Sequence, residues 1–251
     1  MRDTTGKRLV RGIFVAGTDT EVGKTLVAAG VLRFLRRQGI NAASMKPVQT
    51  GAETDGEGTL SPIDLAFHLE AAGFTPPEED RACMAPYSYE PAASPHLAGR
   101  LEGRYPDLAR ITVCAETLLK RYDFLVVEGA GGLMVPITES ALLIDLMRVL
   151  DFPVLLVARA GLGTINHSLL SLAALRAAGL HVLGIVFNDL EPEPNPLIKE
   201  DNPRTVATFG DVEIFGEVPY LPIIEPGDVE SWQRFEQATP GLAQLLDYAK
   251  G

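Results

Sequence analysis

The chain has 251 residues, 46% of them hydrophobic, which is enough apolar material to bury a full core in one domain spanning residues 1–251. A formal charge of -11 argues against nucleic acid as a partner, because that binding depends on Lys and Arg neutralising phosphates. No apolar run is long enough to span a bilayer, residues 1–11 lack the apolar segment of a secretory signal, and Cys83 and Cys114 form no CxxC pair, so the expectation is a cytoplasmic protein without a membrane partner.

The first element is built for phosphate. Ile13, Phe14 and Val15 read as a buried strand that ends in the polar loop Gly17-Thr18-Asp19-Thr20-Glu21-Val22-Gly23-Lys24-Thr25. The loop opens into an apolar-periodic helix over about 24–38, with Gly39 as its stop. Strand, Gly-Lys-Thr, helix is the order of a phosphate-binding loop. Free backbone N–H groups and the helix dipole converge on one spot there. Lys24 can reach terminal phosphates, and the Thr25 hydroxyl can ligate the Mg²⁺ that travels with them. Five residues separate Gly17 from Gly23 where the common pattern has four, so the loop belongs to a less common subfamily.

Strand and helix signals alternate from there on. A short run, 42–48, ends in Met45-Lys46-Pro47-Val48-Gln49-Thr50-Gly51, and 52–59 is polar enough for a mobile loop. Ser61-Pro62-Ile63-Asp64 reads as an N-cap, a Pro at N1 and an acid at N3, opening a helix to about residue 72. The Pro-rich stretch 75–104 reads as loops with a short helix, and 107–121 as a helix leading into a buried strand, 123–128. That strand closes on Glu128 and is followed by Gly129-Ala130-Gly131-Gly132. Next come a helix over 142–150, a buried strand over 153–158, and a helix opened by Leu162-Gly163-Thr164-Ile165-Asn166 that ends near residue 179. A strand over 182–187 is capped by Asn188-Asp189, and 191–203 reads as a Pro/Glu-rich loop. A short strand over 212–218 meets Pro219-Tyr220-Leu221-Pro222, and 242–249 is a last helix. Near-continuous apolar strands alternating with helices mean an α/β fold, a mostly parallel sheet with helices on both faces. Ligands in such sheets sit at the carboxyl ends of the strands, where every polar cluster above falls.

Several residues could carry chemistry. Lys46, at a strand exit fixed by Pro47, would stand on the same sheet edge as Lys24 and could hold charge developing in phosphoryl transfer; the plainer alternative is a surface lysine. Asp64 serves equally as a metal ligand and as the acid that a helix start prefers, and spacing does not decide between them. Glu128 sits where the strand-end acid of a phosphate-loop protein approaches Mg²⁺. The helix start Gly163 to Asn166 is either a carboxylate site or an ordinary helix entry. His68, His96, His167 and His181 have no metal-ligand spacing, which leaves them core or solvated roles.

Together these stretches resemble the dethiobiotin synthetases, the ATP-dependent carboxylases of biotin synthesis. The likeness is carried by Gly17 to Thr25, Lys46-Pro47-Val48, Glu128-Gly129-Ala130-Gly131-Gly132, Leu162-Gly163-Thr164-Ile165-Asn166-His167, Asn188-Asp189 and Pro219-Tyr220-Leu221. It implies a homodimeric single-domain P-loop NTPase fold, with Mg²⁺ on Thr25, Asp64 and Glu128. It also implies ATP on Thr20, Glu21, Val22, Gly23, Lys24, Thr25, Asp64, Glu128, Gly129, Ala130 and Gly131. Asn188 would contact adenine, which Pro219, Tyr220 and Leu221 would wall, and Asp189 would be a further ATP-binding residue. Diaminopelargonate and CO₂ would react beside Lys24 and Lys46. Thr20 and Thr50 would touch the diamine, and Gly163, Thr164, Ile165 and Asn166 would hold its carboxylate across the dimer. Two other classes compete. Positioning or partition ATPases of the deviant P-loop type carry an extra lysine early in the loop, where this chain has Asp19. Amide-forming synthases of the cobalamin pathway carry a glutaminase cysteine, and no cysteine follows Cys114.

Overall fold

The computed structural model describes residues 11–54, 60–191, 195–221 and 224–250. Strand β1 (Gly12–Gly17) leads through the phosphate-type loop into helix α1 (Lys24–Arg37). There follow β2 (Ala42–Met45), β3 (Val48–Thr50), β4 (Glu53–Thr54), β5 (Leu60–Ser61), α2 (Ile63–Ala71) and α3 (Glu78–Met84). The middle of the chain supplies β6 (Tyr87–Tyr89), α4 (Pro95–Leu101), α5 (Leu108–Leu118), β7 (Phe124–Gly132), α6 (Leu143–Leu150) and β8 (Val154–Arg159). The last third holds α7 (Thr164–Ala177), β9 (Val182–Asn188), α8 (Pro196–Gly210), β10 (Ile214–Val218) and α9 (Val229–Ala238). A 3-10 turn (Pro240–Gln244) then runs into α10 (Leu245–Lys250).

Six strands make one parallel sheet in the order β10-β9-β8-β1-β7-β2. Because side chains alternate along a strand, each apolar run feeds both faces. Ile13 and Val15 join one buried cluster with Val27, Leu32, Trp232 and Phe235, while Phe14 and Ala16 join the other with Leu69, Leu143 and Leu172. From β1 the chain goes out to β2, returns to β7, then crosses to β8 on the far side of β1. That reversal opens a crevice at the carboxyl end of β1, where the phosphate-type loop begins.

The structure corrects four local readings. Helix α2 starts at Ile63 with Pro62 as its cap, so Ser61 ends β5 and Asp64 is the second helical residue. Stretch 75–104 holds two helices and β6, which pairs in parallel with β3. Of the polar stretch 52–59, Glu53–Thr54 pairs antiparallel with Leu60–Ser61, and 55–59 lies outside the described residues. The reading of 191–203 as a loop gives way to α8 from Pro196, with 192–194 outside the described residues. Pro203 lies inside that helix, where a proline costs about 3 kcal/mol. Packing offsets the cost: Pro203 and Val206 are buried, and Asn202 Nδ2 donates to Ala160 O at 2.8 Å.

The sequence pattern also missed α9. Asp228 caps it by accepting from Ser231 N at 3.2 Å, and Trp232 and Phe235 fill the groove over α1. Gly30 is the reason Phe235 fits, because a Cβ there would come within 2.1 Å of its ring. Among the described residues, no helix is long and apolar enough to cross a membrane.

Candidate active site

The loop after β1 is shaped by its own backbone. Gly23 caps α1 at φ 96°, and a Cβ there would collide with the Asn188 amide, so both backbone and neighbour require glycine. Glu21 also holds positive φ, at 57°. Lys24 Nζ curls back to donate to Asp19 O at 2.9 Å. Asp19 Oδ2 accepts from Arg159 Nη2 at 2.6 Å, pinning the loop to the end of β8. Asn188 Nδ2 donates to Val22 O at 3.2 Å from the end of β9.

Three elements aim charged groups at the loop. Lys46, just past β2, donates from Nζ to Asp64 Oδ2 and to Glu128 Oε1, both at 2.7 Å, and stands 3.5 Å from Gly129 O. Asp64 arrives on the first turn of α2, its backbone N–H donating to Gln49 Oε1 at 3.3 Å. Glu128, on β7, accepts from Thr25 Oγ1 at 3.0 Å through the same Oε1. Its Oε2 lies 2.9 Å from His68 Nε2, one helical turn after Asp64, and His68 Nδ1 lies 2.8 Å from Ser44 Oγ.

The charges tune one another. Burial alone would raise the Glu128 carboxyl, but Lys46 and His68 outweigh it and hold Glu128 at about 2. Burial likewise works to lower Lys46, and Glu128 with Asp64 overturns this, leaving it above the ordinary lysine value. Lys24 goes the other way. Burial pulls it down to about 8, with Glu128 opposing and Lys46 adding to the fall.

A cavity of about 480 Å³ opens over this cluster. Thr20, Glu21, Gly23, Lys24, Thr25, Lys46, Thr50, Asp64, Glu128, Ala130 and Gly131 all line it, so half of the expected nucleotide and diamine residues meet in one place. A neighbouring cavity of about 450 Å³ adds Phe67, Leu221 and Ile224, an apolar wall next to Gly23 and Thr25. Val22 lies buried behind the loop, and Asp189 is buried in an ion pair with Lys199. Gly163, Ile165 and Asn166, at the start of α7, stand outside both cavities, and Thr164 is buried with its Oγ1 3.4 Å from Ser168 Oγ.

Ser44 and His68 are the members that sequence reasoning missed. The available signal was positional: Ser44 precedes Lys46 by two, the strand repeat, and His68 follows Asp64 by four, the helix repeat.

Hydroxyl and carboxylate oxygens from Thr25, Asp64 and Glu128 suit a hard cation. Two carboxylates and one hydroxyl match Mg²⁺, which keeps waters and phosphate oxygens in its shell. Among the described residues, no cluster of three or more His, Cys, Asp or Glu side chains is placed to hold a metal by itself. The arrangement can therefore bind a phosphate chain with its cation and place two lysines at the end of it.

Fold and site thus define an α/β P-loop nucleotide-binding protein, and the AAA domain family model matches residues 11–227. Solved structures place the fold in the same company. The cell division ATPase MinD of Pyrococcus furiosus has a TM-score of 0.53 over 96% of this chain and 97% of its own, at 17% identity. The MinC:MinD complex of Aquifex aeolicus gives 0.52 over 96% and 94%, at 15% identity. Sequence relatives are more specific. The chain is 43% identical to the ATP-dependent dethiobiotin synthetase BioD of Anaeromyxobacter sp. (strain K), over 86% of its length and 92% of the relative's. It is 40% identical to that of Halalkalibacterium halodurans, over 86% and 87%. The chain belongs to the ATP-dependent dethiobiotin synthetase family.

Proposed function

We propose that the chain acts as a single domain that carboxylates diaminopelargonate with CO₂ and closes the product to dethiobiotin, converting ATP to ADP and phosphate. The observation that carries this reading is Lys46 Nζ, held 2.7 Å from both Asp64 and Glu128 at the mouth of the phosphate-type loop. The second cation comes here from the end of β2, not from the early loop position that holds a lysine in the deviant P-loop ATPases and Asp19 in this chain. In the reaction, one amine of the diamine adds through its lone pair to the CO₂ carbon and loses a proton, giving a carbamate. A carbamate oxygen displaces ADP from the γ-phosphorus, forming a carbamic–phosphoric anhydride. The second amine then attacks the carbonyl carbon and loses a proton, and phosphate leaves with the carbamate's oxygen.

The residues' work is positioning and neutralisation. Loop N–H groups from Thr20 to Thr25 and Lys24 would cradle the phosphates. Lys46 would sit between the carbamate and the γ-phosphate, offsetting the repulsion of two anions. Thr25, Asp64 and Glu128 would hold Mg²⁺, which when bound neutralises phosphate charge. Thr20 and Thr50 would face the diamine; Gly129, Ala130 and Gly131 would border the phosphates. Asn188 and Asp189 would border the base, against Pro219, Tyr220 and Leu221. A homodimer would bring Gly163, Thr164, Ile165 and Asn166 of one copy to the other's diamine carboxylate. Supporting this, Leu162 is 79% exposed, and exposed Met134 and Leu170 line a further cavity of about 360 Å³. Two free thiols suit a reducing cytoplasm.

A MinD-like positioning role has the fold in its favour. Against it, Asp19 fills the place of that class's extra lysine and is tied to Arg159. Oxygen tracing tests the chemistry. With ¹⁸O-labelled bicarbonate, freshly made phosphate should carry one labelled oxygen per turnover; unlabelled phosphate beside labelled dethiobiotin would reject the anhydride route.

A further inference from the structure

Each member of the charged cluster has a partner one repeat deeper on its own element. Ser44 lies two residues before Lys46, Val126 two before Glu128, and His68 four after Asp64. Strand side chains recur every second residue and helix side chains every fourth, so the site has two layers. Lys46, Asp64 and Glu128 face the cavity; Ser44, the Val126 carbonyl and His68 lie beneath. His68 and Ser44 are 0% exposed and Glu128 is 1% exposed. His68 Nε2 stands 2.9 Å from Glu128 Oε2 as an ion-pair contact, and among the described residues neither atom makes a hydrogen bond of regular geometry, so each is the other's nearest polar partner. A carboxylate only accepts, so Nε2 carries a hydrogen, and Ser44, 2.8 Å from Nδ1, fixes the ring from behind.

We propose that His68, aligned by Ser44, is a positioning residue that engages Oε2 of Glu128 and thereby keeps Oε1 aimed at Lys46 Nζ and Thr25 Oγ1. The terminal torsion of a glutamate is soft, with a broad minimum. Both Lys46 and Thr25 contact the single oxygen Oε1, which leaves the carboxylate free to turn about it. His68 supplies the second point that fixes the plane. The proposal rests on Glu128 acting at the nucleotide phosphates as described above.

The test uses the full chain with His68→Leu, His68→Gln and Ser44→Ala. Measured for each are kcat, KM for ATP and for the diamine, the melting temperature, and ADP affinity with and without Mg²⁺. Glutamine's amide nitrogen can reach the place of Nε2, and leucine supplies no donor. His68→Leu should lower kcat 30-fold or more with both KM values within threefold. It should also cut at least fivefold the gain in ADP affinity that Mg²⁺ brings, while Mg²⁺-free ADP affinity stays at the wild-type level. His68→Gln should recover kcat to within fivefold of wild type, with Ser44→Ala between the two. A His68→Leu kcat within threefold of wild type overturns the proposal, as does a His68→Gln enzyme no faster than His68→Leu at equal melting temperature. If His68→Leu does not fold, wild-type kcat in Ser44→Ala overturns it. The wild type separates the two levels of inference. Should its ADP affinity gain nothing from Mg²⁺, the metal role of Glu128 fails, and the kcat contrast between leucine and glutamine alone decides for or against positioning.

Discussion

Glu128→Gln probes the cluster most directly through its pH dependence. The carboxyl is buried and held at about 2, against an ordinary value of 4.5. A folded-state pKa below the unfolded one contributes stability that is present above the unfolded value and lost as pH falls through the folded one. The gap corresponds to about 3 kcal/mol at pH 7, roughly half of that at pH 3, and almost nothing below pH 2. Lys46, raised above its ordinary value, contributes stability that is present at and below neutral pH and lost only at high pH, so it leaves the acid window to Glu128. Gln keeps the shape and removes the charge. The variant should therefore be about 3 kcal/mol less stable at pH 7 and should approach wild type as pH falls from 4.5 to 2. Trp232, the one tryptophan, is fully buried between α9 and α1, so its fluorescence in urea titrations at pH 7, 5, 4 and 3 reports global unfolding. A stability gap equal at pH 7 and pH 3 would refute the reasoning.

Three further outcomes follow from the same geometry. Lys46→Gln should lower kcat by about 100-fold or more while the ATP Kd moves less than about fivefold, measured by steady-state kinetics and equilibrium binding; equal losses in both would remove its transition-state role. Lys24, pulled down to about 8 by burial, destabilises the unliganded protein at neutral pH, an effect relieved as pH rises from 8 towards the ordinary lysine value. Lys24→Met should thus raise the melting temperature at pH 7, by roughly 2 kcal/mol of added stability, while abolishing nucleotide binding; an unchanged or lower melting temperature counts against the burial penalty. Gly30→Ala should cost roughly 1–3 kcal/mol by forcing Phe235 off α1, with kcat unaltered, and a neutral melting curve would contradict the packing of α9.

The sheet was legible because each of its strands is an apolar run with a turn signal at its end: Phe14 and Val15, Val126 and Val127, Leu155 and Leu156. The phosphate-type loop was legible for the same reason, since Gly23-Lys24-Thr25 needs only local order to be recognised. What stayed hidden depends on distant contacts. Pro203 argues for a loop until Asn202 is seen tied to Ala160 O and Val206 packed in the core. Trp232 and Phe235 announce a helix only when Gly30, some 200 residues earlier, leaves the groove that Phe235 fills. Asp64 was undecided for the same cause, because its 2.7 Å approach to Lys46 is set by how α2 packs on β2. His68 read as an ordinary core histidine, which it is in burial; its contact with Glu128 joins residues 60 positions apart.

The central claim is that this cluster couples ATP to ring closure of the diamine. The direct measurement is a discontinuous assay with purified protein, Mg-ATP, bicarbonate and diaminopelargonate, following dethiobiotin by mass spectrometry and ADP in parallel. The account predicts one dethiobiotin per ADP, and neither product when the diamine is left out. ADP released without diamine, with no cyclic urea formed, would contradict it and give the lead to a nucleotide-switched ATPase.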